Sequence, residues 1–345
     1  MKTVRLGKTG LEISRVGIGG IPLTRPSEED AIEVVQRALD LGVNFIDTAV
    51  GYGPSEERIG KALAAWAGRR DQVILATKSP GWDRATTLEH LEMSLERLQT
   101  DYIDLWQLHN IRSFQMYEQV LEPGGALDVA REAMQAGQVR HIGFSSHNVD
   151  VALKAVASGL FETVQFPFNF ISNEAADELI PLARERDVGF IAMKPFAGGH
   201  LSDANLALKY VLQFESVVPD PGVEKVKEIE EIVDIVNAGS WELTPQDWQT
   251  IKGIQTELGT RFCRQCQYCQ PCPEGVEISM MMIMRGMYKL WSREIFGNWM
   301  GGVVETARAC VQCGECEKKC PYQLPIREMI AEHIEFYESV SFTRT

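Results

Sequence analysis

Asp47, Tyr52, Lys78 and His109 are four residues of this 345-residue chain whose types and spacing suit one reaction. A free tyrosine has a pKa of about 10 and gives up its proton poorly at neutral pH. A lysine ammonium within reach favours the phenolate and is expected to pull that pKa down. An aspartate beside the lysine keeps it charged and in place, and a histidine at the same mouth orients a carbonyl oxygen. Together they would form a general acid that protonates an oxygen while the attached carbon is reduced. Taken singly, Asp47 reads as a turn former, Lys78 as a surface residue and His109 as a structural strand-end residue. Their order along the chain carries the reading, because each closes or follows a short apolar run.

A second chemistry lies near the other end. All eight cysteines fall between Cys263 and Cys320, and the 262 residues before them have none. Cys310, Cys313, Cys316 and Cys320, followed by Pro321, have the C-x₂-C-x₂-C-x₃-C-P spacing of two-cluster ferredoxins. Cys263, Cys266, Cys269 and Cys272, followed by Pro273, repeat it with one residue fewer before the last cysteine. Three thiolates on one tight turn take three corners of a cube, and the fourth turns toward the other cluster. The expected sets are Cys263, Cys266, Cys269 and Cys320 for one [4Fe–4S] cluster, and Cys310, Cys313, Cys316 and Cys272 for the other. A lone C-x₂-C is also a zinc signature, but the triple repeat with Cys-Pro favours iron–sulfur.

The elements that must position these groups follow from pattern. Residues 3–14 read as a hairpin that plugs the bottom of a barrel, turning at Gly7-Lys8-Thr9-Gly10. Strands are expected at 16–20, 43–47, 73–78, 103–108, 139–144, 163–166, 189–194 and 216–218, with helical stretches between them. Glycines in the first would allow close approach of a cofactor or substrate. Ser27 caps a helix that buries Ile32, Val35, Ala38 and Leu39, and Leu88, Leu91, Leu95 and Leu98 mark the inner face of another. Such alternation predicts an α/β fold: a (β/α)₈ TIM barrel over residues 1–240, with the reacting residues at the C-terminal strand ends. Residues 241–345 are then an α-helical, ferredoxin-like two-cluster domain, starting with a helix at Thr244-Pro245. Its methionine-rich stretch from Ser279 to Trp291 either packs that domain or lines the substrate pocket. His141 and His147 read as structural or surface residues.

A formal net charge of −14 argues against nucleic acid or an anionic membrane as partner. No apolar run is long enough to span a bilayer, and the start of the chain has no signal-peptide core, so a cytoplasmic protein is expected.

With these residues in place, the chain resembles the aldo-keto reductase superfamily over about residues 1–240. The resemblance rests on Asp47-Thr48-Ala49 with Tyr52-Gly53, Ser55-Glu56, Lys78, Leu108-His109 and Gly143-Phe144-Ser145. The cysteine runs narrow it to members with a C-terminal ferredoxin-type 4Fe–4S domain. It implies NAD(H) or NADP(H) as cofactor and reversible reduction of a small-molecule carbonyl to an alcohol. It also implies Ser145, Ser146 and Gln165 as contacts of the nicotinamide carboxamide, with Ser146 where the family usually has asparagine. Met193 stands where many members stack a tyrosine on the nicotinamide, and Lys194, Phe196, Gly198 and Gly199 would hold the pyrophosphate. In the adenosine-phosphate segment, Glu224 and Lys225 replace the usual serines, and a carboxylate there repels a 2′-phosphate, so NADH is expected over NADPH. The alternative is an iron–sulfur electron-transfer oxidoreductase fed by a redox partner protein, with a modified nucleotide site. A non-catalytic sensor on an enzyme scaffold is a third reading.

Overall fold

Seven parallel strands leave their C-terminal ends on one rim, and an eighth closes the circle. The computed structural model describes residues 1–291 and 293–340. Its sheet runs in chain order. A small hairpin of β1 (Thr3–Arg5) and β2 (Glu12–Ser14) comes first. Then follow β3 (Ile18–Gly19), β4 (Phe45–Asp47), β5 (Ile74–Ser79) and β6 (Ile103–Leu108). The last four are β7 (Val139–Ser145), β8 (Thr163–Pro167), β9 (Gly189–Met193) and β10 (Val217–Asp220). Strands β3 to β10 are neighbours in sequence order, each pair parallel. Gly17 N donates to Pro219 O at 2.9 Å and Gly19 N to Pro221 O at 2.8 Å, joining the first strand to the last. This is a closed (β/α)₈ barrel.

The glycines of the first strand serve that closure. A Cβ on Gly17 would sit 2.5 Å from the Phe45 ring, and one on Gly19 would sit 3.3 Å from Asp220 O. At the opposite end, Leu6 and Ile13 of the hairpin are buried with Phe45, Ile74, Leu105, Ile191 and Val218. The hairpin is therefore the apolar floor of the barrel.

Helix Glu28–Asp40 begins as expected, with Ser27 Oγ accepting from Asp30 N at 3.1 Å, and buries Ala31, Val34, Val35, Ala38 and Leu39. Helix Arg84–Leu98 is rotated from the leucine face expected of it: it buries Thr87, Leu91, Ser94 and Leu98. The reason is polar. Glu56 is fully buried, and its Oε1 accepts from Thr77 Oγ1 and Ser94 Oγ, both at 2.7 Å. Ser94 must face inward to satisfy that carboxylate.

The chain divides into units Met1–Leu243 and Thr244–Thr345. In the second, Thr244 and Asp247 form a reciprocal cap on helix Pro245–Leu258. The methionine-rich stretch is two short helices, Ile278–Met282 and Met284–Leu290, followed by Arg293–Arg308, Glu315–Lys319 and Ile326–Ser339. Met281, Met284 and Met287 are buried in this unit's own core with Phe296, Met300, Val304 and Ile330. Each such side chain contributes roughly 1.5–3 kcal/mol by leaving water. Among the described residues, no helix is long and apolar enough to cross a membrane.

Candidate active site and thiol-lined voids

The turn after β4 aims the tyrosine. Beyond Asp47 the chain keeps pairing with β5, through Thr48 N to Ala76 O at 2.9 Å and Val50 N to Lys78 O at 3.1 Å. It then reverses tightly, Tyr52 N donating to Ala49 O at 2.9 Å, and enters helix Ser55–Ala65. Ser55 Oγ ties this corner to Gly20 O at 2.9 Å and to Thr48 Oγ1 at 2.9 Å. His109 is set just past β6 by its backbone N donating to Ser79 O at 2.8 Å.

Four side chains converge there. Lys78 Nζ donates to Asp47 Oδ2 at 2.5 Å and to Thr48 O at 2.6 Å. The same ammonium lies 5.0 Å from the centre of the Tyr52 ring and acts electrostatically on its phenol. The Tyr52 and His109 rings meet edge to face, with centroids 5.8 Å apart. Asp47 and Lys78 are buried, whereas Tyr52 and His109 keep a partly exposed edge. The ion pair is thus sealed away, whereas Tyr52 and His109 are only partly buried.

The electrostatics correct one expectation. Burial pushes the Tyr52 pKa up, and Asp47 and Asp220 add to it; Lys78 opposes the rise without reversing it. The phenol is held protonated more firmly than in water, where spacing alone suggested a lowered pKa. Burial also works against the Lys78 ammonium, but Asp47 and then Tyr52 outweigh it and raise the lysine pKa. His109 is pushed down to about 3 by burial and by Lys78, Arg112 and Lys194, so its imidazole is neutral.

Two neighbours of this group, Gln107 and Asp220, were not expected from the sequence, and a third, Gln165, was expected only as a nicotinamide contact. Gln107 Nε2 donates to Asp47 Oδ1 at 3.1 Å, and Gln165 Nε2 donates to Asp47 Oδ2 and Asp220 Oδ2, each at 3.1 Å. Asp220 is 5% exposed, its Oδ1 has no hydrogen-bond partner, and burial beside Asp47 raises its pKa well above the carboxylate range. Gln107 could have been found from its place two residues before His109, which puts both on one face of the strand. Asp220 lies just past the expected end of the last strand, behind Pro219. His147, read as structural or surface, is partly buried between Asn110 and Lys194.

The residues carried over for a nucleotide are arranged as follows. Ser145 is buried at the end of β7, its Oγ accepting from Asn110 N at 2.8 Å. Ser146 Oγ donates to Ile111 O at 2.7 Å, so this hydroxyl braces a loop. Met193 ends β9, level with Asp220. Lys194, Ala197, Gly198 and Gly199 all have positive φ, and Phe196 O accepts from Gly199 N at 2.9 Å in this tightly coiled loop. Lys194 Nζ reaches His147 Nε2 at 2.9 Å. Beyond β10, Glu224 pairs with Arg25 at 2.7 Å and lies 3.9 Å from Lys225 Nζ. Glu228 Oε2 accepts from Glu224 N at 2.9 Å and Lys225 N at 3.2 Å, occupying the two backbone donors just ahead of helix Val226–Ala238. Asp30 and Glu33 line the same cleft.

In the second unit the thiols surround two voids. Cys263, Cys266, Cys269 and Cys320 line one, with Tyr322 and Leu324. Cys272, Cys310, Cys313 and Cys316 line the other, which Cys269 also borders. Burial, and then Cys263, Cys266 and Cys320, push the Cys269 thiol up to about 12. Among the described residues, no group of three His, Cys, Asp or Glu side chains is arranged to hold a metal ion directly.

Comparison with known proteins agrees with both halves. The profile of the Aldo/keto reductase family matches residues 15–206, and that of the 4Fe-4S dicluster domain matches residues 262–325. The chain is 37% identical to aldo-keto reductase YhdN of Bacillus subtilis over 205 residues, 54% of this chain and 60% of that protein. It is 33% identical to L-galactose dehydrogenase of Arabidopsis thaliana over 214 residues, 57% of this chain and 66% of that one. An aldo-keto reductase from Bacillus halodurans in its holo form superposes with a TM-score of 0.63 at 27% identity, covering 74% of this chain and 96% of that one. A family profile that runs through more than half of the chain, on a barrel of matching architecture, makes this protein a member of the Aldo/keto reductase family that carries a 4Fe-4S dicluster domain.

Proposed function

We propose that the barrel catalyses reversible reduction of a carbonyl to an alcohol with a nicotinamide nucleotide. The observation that carries this is the Asp47–Lys78–Tyr52 group, a buried ion pair whose ammonium lies 5.0 Å from the ring of a partly exposed tyrosine. A reduced nicotinamide, when bound, supplies hydride to the carbonyl carbon. Tyr52 gives its proton to the carbonyl oxygen, and the phenolate left behind is stabilised by the Lys78 ammonium. Asp47 keeps that ammonium charged and fixed. Neutral His109 donates one hydrogen bond to the same oxygen and orients it beside the phenol. For alcohol oxidation the proton returns along the same path.

The site suits a nucleotide with a free ribose 2′-OH. Glu224 offers a carboxylate acceptor, and the Glu228 carboxylate, on the two N–H groups ahead of the helix, adds a second negative charge that would repel a 2′-phosphate. Ser145, Ser146, Gln165, Met193, Lys194, Phe196, Gly198, Glu224 and Lys225 are the residues assigned to hold it. Of NADH and NADPH, this reading favours NADH. In the second unit the two thiol sets that line the voids match the sets assigned to two [4Fe–4S] clusters, which would supply one-electron chemistry or rigidity.

One observation favours the alternative of electron exchange with a redox partner protein. Cys313 is the exposed cysteine of the eight, and Val311 beside it is 62% exposed. A single experiment separates the readings: anaerobic NADH and NADPH oxidation with a panel of aldehydes, for the wild type, Tyr52→Phe and Cys313→Ala. Tyr52→Phe is expected to lose about 10²–10⁴-fold in kcat, the size of a general-acid contribution. If Cys313→Ala, still folded, loses as much, the clusters take part in turnover. Full activity in Tyr52→Phe ends the hydride reading.

A further inference from the structure

The loops after β6, β7 and β9 bring a second set of side chains to the same rim. His147 Nε2 lies 2.9 Å from Lys194 Nζ, and its Nδ1 lies 3.1 Å from Asn110 Oδ1. An ammonium has only protons to give, so Nε2 is the acceptor and Nδ1 carries the imidazole proton. Asn110 and Ile111 are pinned to the end of β7, their backbone N–H groups meeting Ser145 Oγ and Ser145 O, each at 2.8 Å. Arg112 comes next, three residues after His109.

Arg112 is half-buried, and among the described residues it makes no hydrogen bond or ion pair. That is unusual in a chain with 48 acidic and 34 basic residues. Arg5, Arg37 and Arg84 all find carboxylates on the surface, and Arg140 finds buried Asp104. Arg112 and Lys194 both act electrostatically on His109 and His147, disfavouring a charged imidazole at either position. The loop tied to Ser145 thus carries Arg112 two residues from Asn110, which meets His147 and through it Lys194, and Arg112 has a free guanidinium fork, the group best shaped to take a carboxylate or phosphate.

We propose that Arg112, with Lys194 beside it, forms an anion subsite at this mouth, and that the carbonyl compound reduced there carries a carboxylate or phosphate group. The inference rests on the carbonyl-reductase reading of the same site. The other source of an anion is the cofactor's own pyrophosphate.

The test compares 4-carboxybenzaldehyde with uncharged benzaldehyde as substrates of the full-length, iron-loaded protein. The wild type should favour the carboxylate by kcat/KM. Arg112→Met should cut that preference about ten-fold or more, and Arg112→Lys should restore part of it. Calorimetric titration with malonate, a dicarboxylate that cannot be reduced, gives a readout without turnover: binding should weaken about ten-fold or more in Arg112→Met. An unchanged preference and unchanged malonate binding would overturn the proposal. So would a variant that loses affinity for NADH alone, since the charge would then belong to the nucleotide. If neither aldehyde is reduced yet malonate binding depends on Arg112, the subsite stands and the reductase reading falls.

Discussion

Tyr52 must release a proton from a place where burial holds that proton tightly. Two carboxyl groups, Asp47 and Asp220, face one ammonium there, and each adds to the rise of the phenol pKa that burial causes. A raised phenol pKa sets the pH behaviour. Carbonyl reduction needs the protonated form, so it should persist through neutral pH and fall only as pH rises through that raised value. Alcohol oxidation should gain over the same range. Asp220→Asn removes one of the groups that raise the phenol, so both limbs should move to lower pH; superimposable profiles would show that Asp220 does not act on Tyr52. His109, neutral down to about pH 3, should add no limb near neutrality. The quartet Asp47, Tyr52, Lys78 and His109 was legible because each ends or follows a β-rich run. Asp220 was hidden behind a proline, Arg112 had no motif around it, and the direction of the Tyr52 shift depends on enclosure, which spacing does not encode.

At the level of elements, apolar periodicity located the strands and most helices, since a parallel strand buried on both faces reads as a continuous apolar run. It failed where a buried polar group overrode it. Helix Arg84–Leu98 turns Ser94 inward to meet Glu56, an interaction between residues 38 apart that no local window contains. The methionine-rich stretch illustrates the opposite case, where composition left two readings open and packing chose. Met284 is fully buried in the core of the second unit. Met284→Ala should therefore cost about 2–5 kcal/mol in the unfolding transition of that unit, followed by calorimetry. A loss below about 1 kcal/mol would remove Met284 from the core assignment.

For the molecule as a whole, the two units differ in what holds them together. Unit Met1–Leu243 has a closed sheet and contains no cysteine, whereas Thr244–Thr345 gathers all eight thiols around two voids. Metal binding by such thiols is coupled to folding. Anaerobic iron chelation should abolish the thermal transition of the second unit and leave a transition belonging to the barrel. Retention of both transitions after iron loss would mean that the helical core suffices. The division was visible in the cysteine distribution alone, but which thiols share a void required the fold of the chain between the two runs.

Barrel closure has a consequence for biosynthesis. Gly19 meets Gly222, so the rim that carries Tyr52 is complete only when segments about 200 residues apart have found each other. Such long-range pairing is slow. On the ribosome the nascent chain must expose its tenth strand before the reaction centre can exist, and any stop codon upstream of that strand yields a product with an open sheet edge that invites aggregation.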